Sequence, residues 1–104
     1  MINRNLLKLT NTKEYNNIFK RYPNIYEILF EILKKDICCI SDLSKELKIE
    51  EKYIEILLEI WRNNRYTFHE YGRVFKLGNK KWKLLNHDDI MFDKSEEEIN
   101  AIYN

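Results

Sequence analysis

The sequence predicts a single α+β domain that is mainly helical, with a small β-hairpin after the helices of its core. The first two thirds of the chain repeat apolar residues at helical spacing. Residues 73–85 instead hold RVFKL and KWKLL, two short segments rich in branched and aromatic residues that flank Gly78-Asn79. With 104 residues, of which 44% are hydrophobic and 34% charged, the chain can bury one modest core.

The first 22 residues are predicted to form an arm and a short helix. Residues 1–11 place Leu6, Leu7 and Leu9 among polar residues, which is typical of an arm that can include a short strand. Thr12 is a suitable N-cap for a helix over KEYNNIFKRY, because its hydroxyl can accept a hydrogen bond from the first turn.

A second helix and a short strand are expected next. Pro23 interrupts the first helix and suits the first turn of a new one, PNIYEILFEILKK, which carries an apolar stripe. The segment DICCI then predicts a short buried strand. Because neighbours on a strand point to opposite faces, Cys38 and Cys39 are expected to be buried free thiols. An intermolecular disulfide or a redox role is the alternative.

Residues 41–63 have the pattern of two helices joined by a tight turn. Ser41 is expected to cap the first helix, and Ile49 to fill the turn KIEE as a buried residue. The second helix is expected from about Glu51 to Asn63, where NNR ends it.

The remainder is predicted to be β structure followed by one helix. RYTFHEY, RVFKL and KWKLL are the expected strands, and a two-residue loop, Gly78-Asn79, would pair Phe75 with Trp82. One face of the hairpin would then carry three lysines, Lys76, Lys81 and Lys83. Facing like charges cost stability. The pattern therefore indicates either an anionic partner or a solvated face that blunts an edge strand.

The final segment, SEEEINAIY, predicts a helix with Ser95 and Glu98 as its capping box. It belongs to an acidic end: residues 88–104 hold six carboxylates and one lysine, a net charge of −5, against +6 for residues 1–87. A basic body with an acidic end is the main charge asymmetry of the chain.

The predicted order of helix, strand, helix, turn, helix and hairpin resembles the winged-helix family, from about Ile25 to Leu85. The match rests on the hairpin around Gly78 and on apolar positions of the helices: Ile28, Leu29, Leu33, Ile40, Leu43, Leu47, Ile49, Ile54, Leu58 and Trp61. The resemblance implies a winged helix-turn-helix domain over residues 23–87. The arm and short helix, residues 1–22, precede it, and the acidic helix, residues 88–104, packs on the same domain.

The second helix of this motif is not expected to read DNA bases. At about 100° per residue, Ile54, Leu58 and Trp61 face the core. The adjoining arc, which tends to be polar in DNA-reading members of the family, is apolar here: Tyr53, Ile56, Leu57 and Ile60. A helix apolar over so much of its circumference is buried on two sides. The arm, the terminal helix or a second subunit could cover it.

Nucleic-acid binding is instead predicted for the cations of the wing and its surroundings: Lys52, Arg62, Arg65, Arg73, Lys76, Lys80, Lys81 and Lys83. Phosphate contacts of this kind are salt-dependent and weak in sequence preference. Winged-helix proteins are mostly DNA-binding regulators, so the resemblance implies a transcriptional regulator of double-stranded DNA, expected to be dimeric. A coating protein without sequence preference is a related hypothesis.

The alternative function is a protein-interaction winged helix, for example a viral or plasmid-encoded inhibitor of a host protein. It would use the apolar arc of the second helix: Tyr53, Ile56, Leu57 and Ile60. An exposed apolar patch of this size marks an interaction site. The abundance of Ile, Lys, Asn and Tyr indicates the codon bias of an AT-rich genome, and the composition resembles that of small proteins from AT-rich mobile elements, including viruses and plasmids of archaea.

No enzyme, cofactor or metal site is predicted. His69 and His87 are far apart in sequence, two glycines cannot make a phosphate-binding loop, and two adjacent cysteines do not complete a zinc site. No apolar run approaches the roughly 20 residues of a membrane span, and no signal peptide is visible. A cytoplasmic location, in the host cytoplasm if the protein is viral, is the expectation.

Overall fold

The computed structural model of the protein describes residues 2–64 and 67–103. Its elements are α1 (Arg4–Leu7), a 3-10 turn (Lys8–Asn11), α2 (Lys13–Arg21), α3 (Ile25–Leu33), β1 (Cys38–Cys39), α4 (Ile40–Leu47), α5 (Glu51–Asn63), β2 (Arg73–Leu77), β3 (Lys81–Leu85) and α6 (Glu96–Tyr103). The strands form one antiparallel sheet in the order β1-β3-β2. The predicted α+β class, mainly helical, is confirmed.

Two of the predicted helix starts are confirmed by their caps. Thr12 Oγ1 accepts a hydrogen bond from the Tyr15 amide (3.2 Å) at the start of α2. At the start of α6, Ser95 Oγ accepts from the Glu98 amide (3.2 Å) while Glu98 Oε1 accepts from the Ser95 amide (3.3 Å). This reciprocal pair satisfies amides that the first turn leaves without a helical partner. The bounds of α5 also agree with the prediction.

The main core lies between α2–α5 and one face of the sheet. Five of its largest contributors are fully buried, with relative exposures of 0%: Leu29, Ile54, Leu58, Trp61 and Trp82. The predicted inward stripe of α5 is therefore confirmed.

A second, smaller core lies on the other face of the sheet. There Ile99 of α6, 0% exposed, packs with Phe75, Leu77 and Leu85. The sheet is consequently covered by helices on both faces, and α6 packs on the same body as the rest of the chain.

The turn between α4 and α5 depends on a left-handed residue. Lys48 has φ 56° and ψ 46° and ends α4. Ile49, 5% exposed, is buried in the turn as predicted. Its amide donates to the Ser44 carbonyl (3.2 Å), and the Ser44 hydroxyl donates to the Ile49 carbonyl (2.6 Å). These bonds bring α5 back across α4 within three residues.

Lys48→Gly is expected to raise the free energy of unfolding by about 0.5–1 kcal/mol. A residue with a Cβ in the left-handed region costs about 1–2 kcal/mol, and glycine removes this cost. The greater conformational entropy of glycine in the unfolded chain offsets part of that gain. Urea denaturation measures the change. Lys45→Gly, inside α4, is the matched control and should lose about 1 kcal/mol. Equal losses for both variants would contradict the assigned role of Lys48.

Three local predictions are wrong. The arm contains helix α1 rather than a strand, because the Asn3 side chain accepts from the Asn5 amide (2.8 Å) and caps the turn. Helix α4 begins at Ile40, so Ser41 lies inside it and is not the N-cap. Residues 67–71 form turns rather than a strand, since their aromatic rings pack around Trp61. Arg65 and Tyr66, in the same predicted strand, lie outside the described residues.

The register of the hairpin also differs from the prediction by one residue. The loop has three residues, 78–80, with positive φ at Asn79 (62°) and Lys80 (57°). Lys76 therefore pairs with Trp82, and Phe75 pairs with Lys83. A single-residue slip exchanges the faces of a strand. Phe75 and Trp82 consequently lie in different cores instead of forming a cross-strand pair, and Leu77 and Leu84 likewise do not share a face.

Candidate nucleic-acid interface

The predicted face of three lysines does not form. Side chains of paired residues share a face, so Lys76 lies on the side of Trp82 and the main core. Lys81 and Lys83, opposite Leu77 and Phe75, lie on the side covered by α6. The hairpin lysines are thus divided between the two faces.

The tip of the hairpin is where accessible positive charge remains. Lys80 and Lys81 are exposed, and within residues 2–64 and 67–103 neither forms an ion pair with a carboxylate. Lys83 is half-buried, with Nζ 4.8 Å from the centre of the Tyr103 ring. We refer to Lys80, Lys81 and Lys83 as the hairpin tip cluster. The Tyr103 ring of α6 holds Lys83 against the sheet, and among the described residues no carboxylate forms an ion pair with Lys83.

Arg73 stabilises the packing of the chain before α6. It is 9% exposed, and its Nη1 donates to the carbonyls of Phe92 (2.8 Å) and Lys94 (2.6 Å). These bonds fasten the segment before α6 to β2. A guanidinium used in this way is not presented to phosphates in this conformation.

Arg62 links α5 to α6. Its Nε donates to Glu96 Oε2 (2.8 Å), and its Nη1 donates to Glu59 Oε1 (3.1 Å). The hydrogen bond to Glu96 raises the pKa of Arg62, and the charges of Glu96 and Glu59 add to this although burial opposes it. Lys76 Nζ lies 3.8 Å from Glu55. Both predicted phosphate contacts therefore already face carboxylates.

Two side chains of α6 also bind the open edge of β2, which ends the strand order. Glu96 Oε1 accepts from the Lys76 amide (3.3 Å), and Asn100 Nδ2 donates to the Lys76 carbonyl (3.0 Å). Together they provide the donor and acceptor that a neighbouring strand would supply, which protects an edge prone to pairing with other chains. The contacts of Glu96 and Asn100 with the edge of β2 are not among the features predicted from the sequence. Its only sequence signal is the spacing of four residues, which places both side chains on one helix face.

Lys52 and Arg65 are the two remaining residues predicted to contact phosphates. Lys52 is exposed near the start of α5, with its Nζ 3.6 Å from Glu50 and 5.4 Å from the centre of the Tyr53 ring. Such exposed pairs contribute little and break readily. Arg65 lies outside the described residues.

The apolar arc of α5 is covered within the chain. Tyr53, Ile56 and Leu57 have relative exposures of 5%, 0% and 0%, and Ile60 is half-buried. Helix α1 and the 3-10 turn pack against α5, and the hydroxyls of Thr12 and Tyr53 lie 3.4 Å apart. Of the arm, the terminal helix and a second subunit, it is therefore the arm that packs against the apolar arc of α5. The arc is not a surface open to a partner in this conformation.

The polar face of α5 carries three carboxylates beside Lys52 and Arg62. Glu51 is exposed and Glu55 half-buried, while Glu59, 8% exposed, is held by Arg62. Base edges in a major groove are read mostly by Arg, Lys, Asn and Gln. With carboxylates in these positions, α5 offers a poor surface to DNA.

The two cysteines are half-buried and the two histidines are exposed. Cys38 and Cys39 are free and half-buried rather than fully buried. Burial raises the pKa of the Cys38 thiol, and the charge of Asp36 adds to the effect, which lowers the thiolate fraction needed for redox chemistry. His69 and His87 stack with ring centres 5.0 Å apart. Among the described residues no group of three or more His, Cys, Asp or Glu is arranged to hold a metal.

None of the helices in residues 2–64 and 67–103 is both long enough and apolar enough to cross a bilayer.

Comparison of the chain with models of protein families, with curated proteins and with solved structures finds no match. The case for a function therefore rests on the geometry of the chain itself.

Proposed function

We propose that residues 23–87 form a winged helix that binds double-stranded nucleic acid through the tip of its wing. The element order α3-β1-α4-α5-β2-β3 and the strand order β1-β3-β2 support the fold assignment. So does the tight left-handed turn at Lys48, which joins α4 and α5 as the two helices of a helix-turn-helix.

One observation carries the binding proposal. The hairpin tip cluster has three lysines within four residues, and two of them are exposed and form no ion pair with a carboxylate of the described residues. A short exposed loop of this charge fits the phosphate backbone of a duplex. Lysine contacts phosphates as a point charge, and such contacts do not distinguish one base sequence from another. The proposed binding is therefore non-specific or weakly specific.

This proposal assigns α5 a supporting role. Its apolar arc holds the arm and its polar face carries three carboxylates, so α5 positions the hairpin instead of entering the groove. The proposal also distinguishes the tip from three cations that are engaged within the fold. Arg62 and Arg73 hold α6 and the segment before it, and Lys76 pairs with Glu55 of α5. A regulatory role would then require a second source of sequence preference, such as a bound partner.

Lys80→Ala combined with Lys81→Ala is expected to weaken binding to a random-sequence duplex by roughly 60-fold at about 0.1 M salt, since two phosphate contacts are lost. Fluorescence anisotropy at several salt concentrations provides the measurement. For three contacts, log affinity should fall against log salt with a slope of about −2.7, and the variant should reduce that slope by about 1.8.

Lys13→Ala combined with Lys20→Ala is the matched control, because it removes the same charge from exposed positions of α2. Its binding should remain close to that of the unaltered protein. Equal losses in the two variants would show that only net charge matters. No binding of the unaltered protein at low salt would remove the nucleic-acid proposal altogether.

A further inference from the structure

An apolar groove with an acidic rim lies where the α2–α3 turn, α3 and the end of α4 meet. Its volume is about 510 Å³. Ile28 and Ile32, both half-buried, follow one another along α3 and form its floor with Tyr22. Three exposed carboxylates line the rim: Glu27, Glu31 and Glu46.

The groove is preformed and its negative charge is incompletely balanced. Among the described residues that line it, Arg21 is the one cation, and its guanidinium donates to the carbonyls of Leu47 and Lys48. The Tyr22 hydroxyl donates to the same Leu47 carbonyl (3.1 Å). Glu31 Oε2 forms an ion pair with Lys34 Nζ (3.0 Å). Glu27 and Glu46 form no ion pair within the described residues.

Helix α1 presents a complementary surface. Leu7 is 46% exposed, an unusual position for a large apolar side chain, while the adjacent Leu6 is half-buried. Arg4 and Lys8 lie on either side of Leu7 in the chain and are exposed, and neither forms an ion pair with a carboxylate of residues 2–64 and 67–103. Helix α1 and the first residue of the 3-10 turn therefore offer one exposed leucine beside two cations.

We propose that α1 of a second copy of this chain docks in the groove. Leu7 of one copy packs on Ile28 and Ile32 of the other, and Arg4 and Lys8 face the rim carboxylates. A second copy fits because one chain carries both halves of the contact: apolar against apolar, and cation against carboxylate. Since the two surfaces differ, association closes into a ring or dimer where the geometry permits and otherwise continues as a chain.

Sedimentation velocity of the full chain from about 10 µM to about 1 mM tests the contact directly, over the range of a weak association. The average mass should rise above the 12.8 kDa of one chain as the concentration increases, and Leu7→Ser should abolish the rise. A protein that remains monomeric over this range, or a Leu7→Ser variant that associates as before, would overturn the proposal.

Charge reversal identifies the two surfaces. Arg4→Glu with Lys8→Glu reverses the arm, and Glu27→Lys with Glu46→Lys reverses the rim. Each variant alone should stay monomeric, whereas their mixture should associate, because each reversed surface meets its reversed partner. A mixture that stays monomeric contradicts the assignment.

The design excludes two simpler explanations. All four charged positions are exposed, and circular dichroism will verify that each variant is folded. Lys80→Ala with Lys81→Ala, which removes the proposed nucleic-acid contact, should leave self-association unchanged. Loss of association in that variant would overturn the arm-to-groove contact. The inference is therefore independent of the proposed nucleic-acid binding.

Discussion

Trp61→Ala is expected to lower the free energy of unfolding by about 3–5 kcal/mol, a large part of the stability of a domain this size. The indole is 0% exposed, and its centre lies 6.1 Å from that of Tyr26, 5.8 Å from Phe68 and 5.9 Å from Tyr71. Its loss leaves a cavity where α3, α5 and the turns before β2 meet. Thermal unfolding should show a midpoint at least about 12 °C lower.

A pair of conservative variants separates packing from hydrogen bonding in this effect. Trp61 Nε1 donates to the Gly72 carbonyl (3.0 Å), whereas the equally buried Trp82 Nε1 has no hydrogen-bond partner among the described residues. Trp61→Phe should therefore cost more stability than Trp82→Phe, by about 2 kcal/mol, because only the first leaves a buried acceptor unpaired. Equal costs would show that volume alone matters at both sites.

Gly72→Ala is expected to cost about 2–4 kcal/mol, through backbone strain and a steric clash. Gly72 has φ +107°, a conformation that a Cβ disfavours, and a Cβ there would lie 2.5 Å from the Leu85 carbonyl oxygen. Since that oxygen belongs to the backbone of β3, relief requires the strands to separate. Chemical denaturation of the purified variant gives the cost.

The other glycine of the chain is the control. Gly78 lies in the exposed hairpin loop and is not among the positive-φ residues. Gly78→Ala should change stability by less than about 0.5 kcal/mol, as a surface substitution without strain does. If Gly72→Ala were equally mild, β2 would have to enter the sheet by a path other than the one described here.

Local signals in the sequence determined much of this fold. The bounds of α5, the caps at Thr12 and Ser95, and the inward stripe of α5 all follow from helical period and from side chains that bond within one turn. These features were predictable because their causes lie within a few residues of the chain. The buried position of Ile49 follows in the same way from the short turn.

Only the tertiary structure decided how the charges and the apolar arc of α5 are used. A loop of three residues instead of two exchanged the faces of the hairpin and divided its lysines. The pairing of Arg62 with Glu96 joins residues 34 positions apart, and the arm covers Tyr53 through contacts between elements. Composition gives the number of cations in a segment, but whether a cation meets a carboxylate or solvent depends on which distant elements pack together.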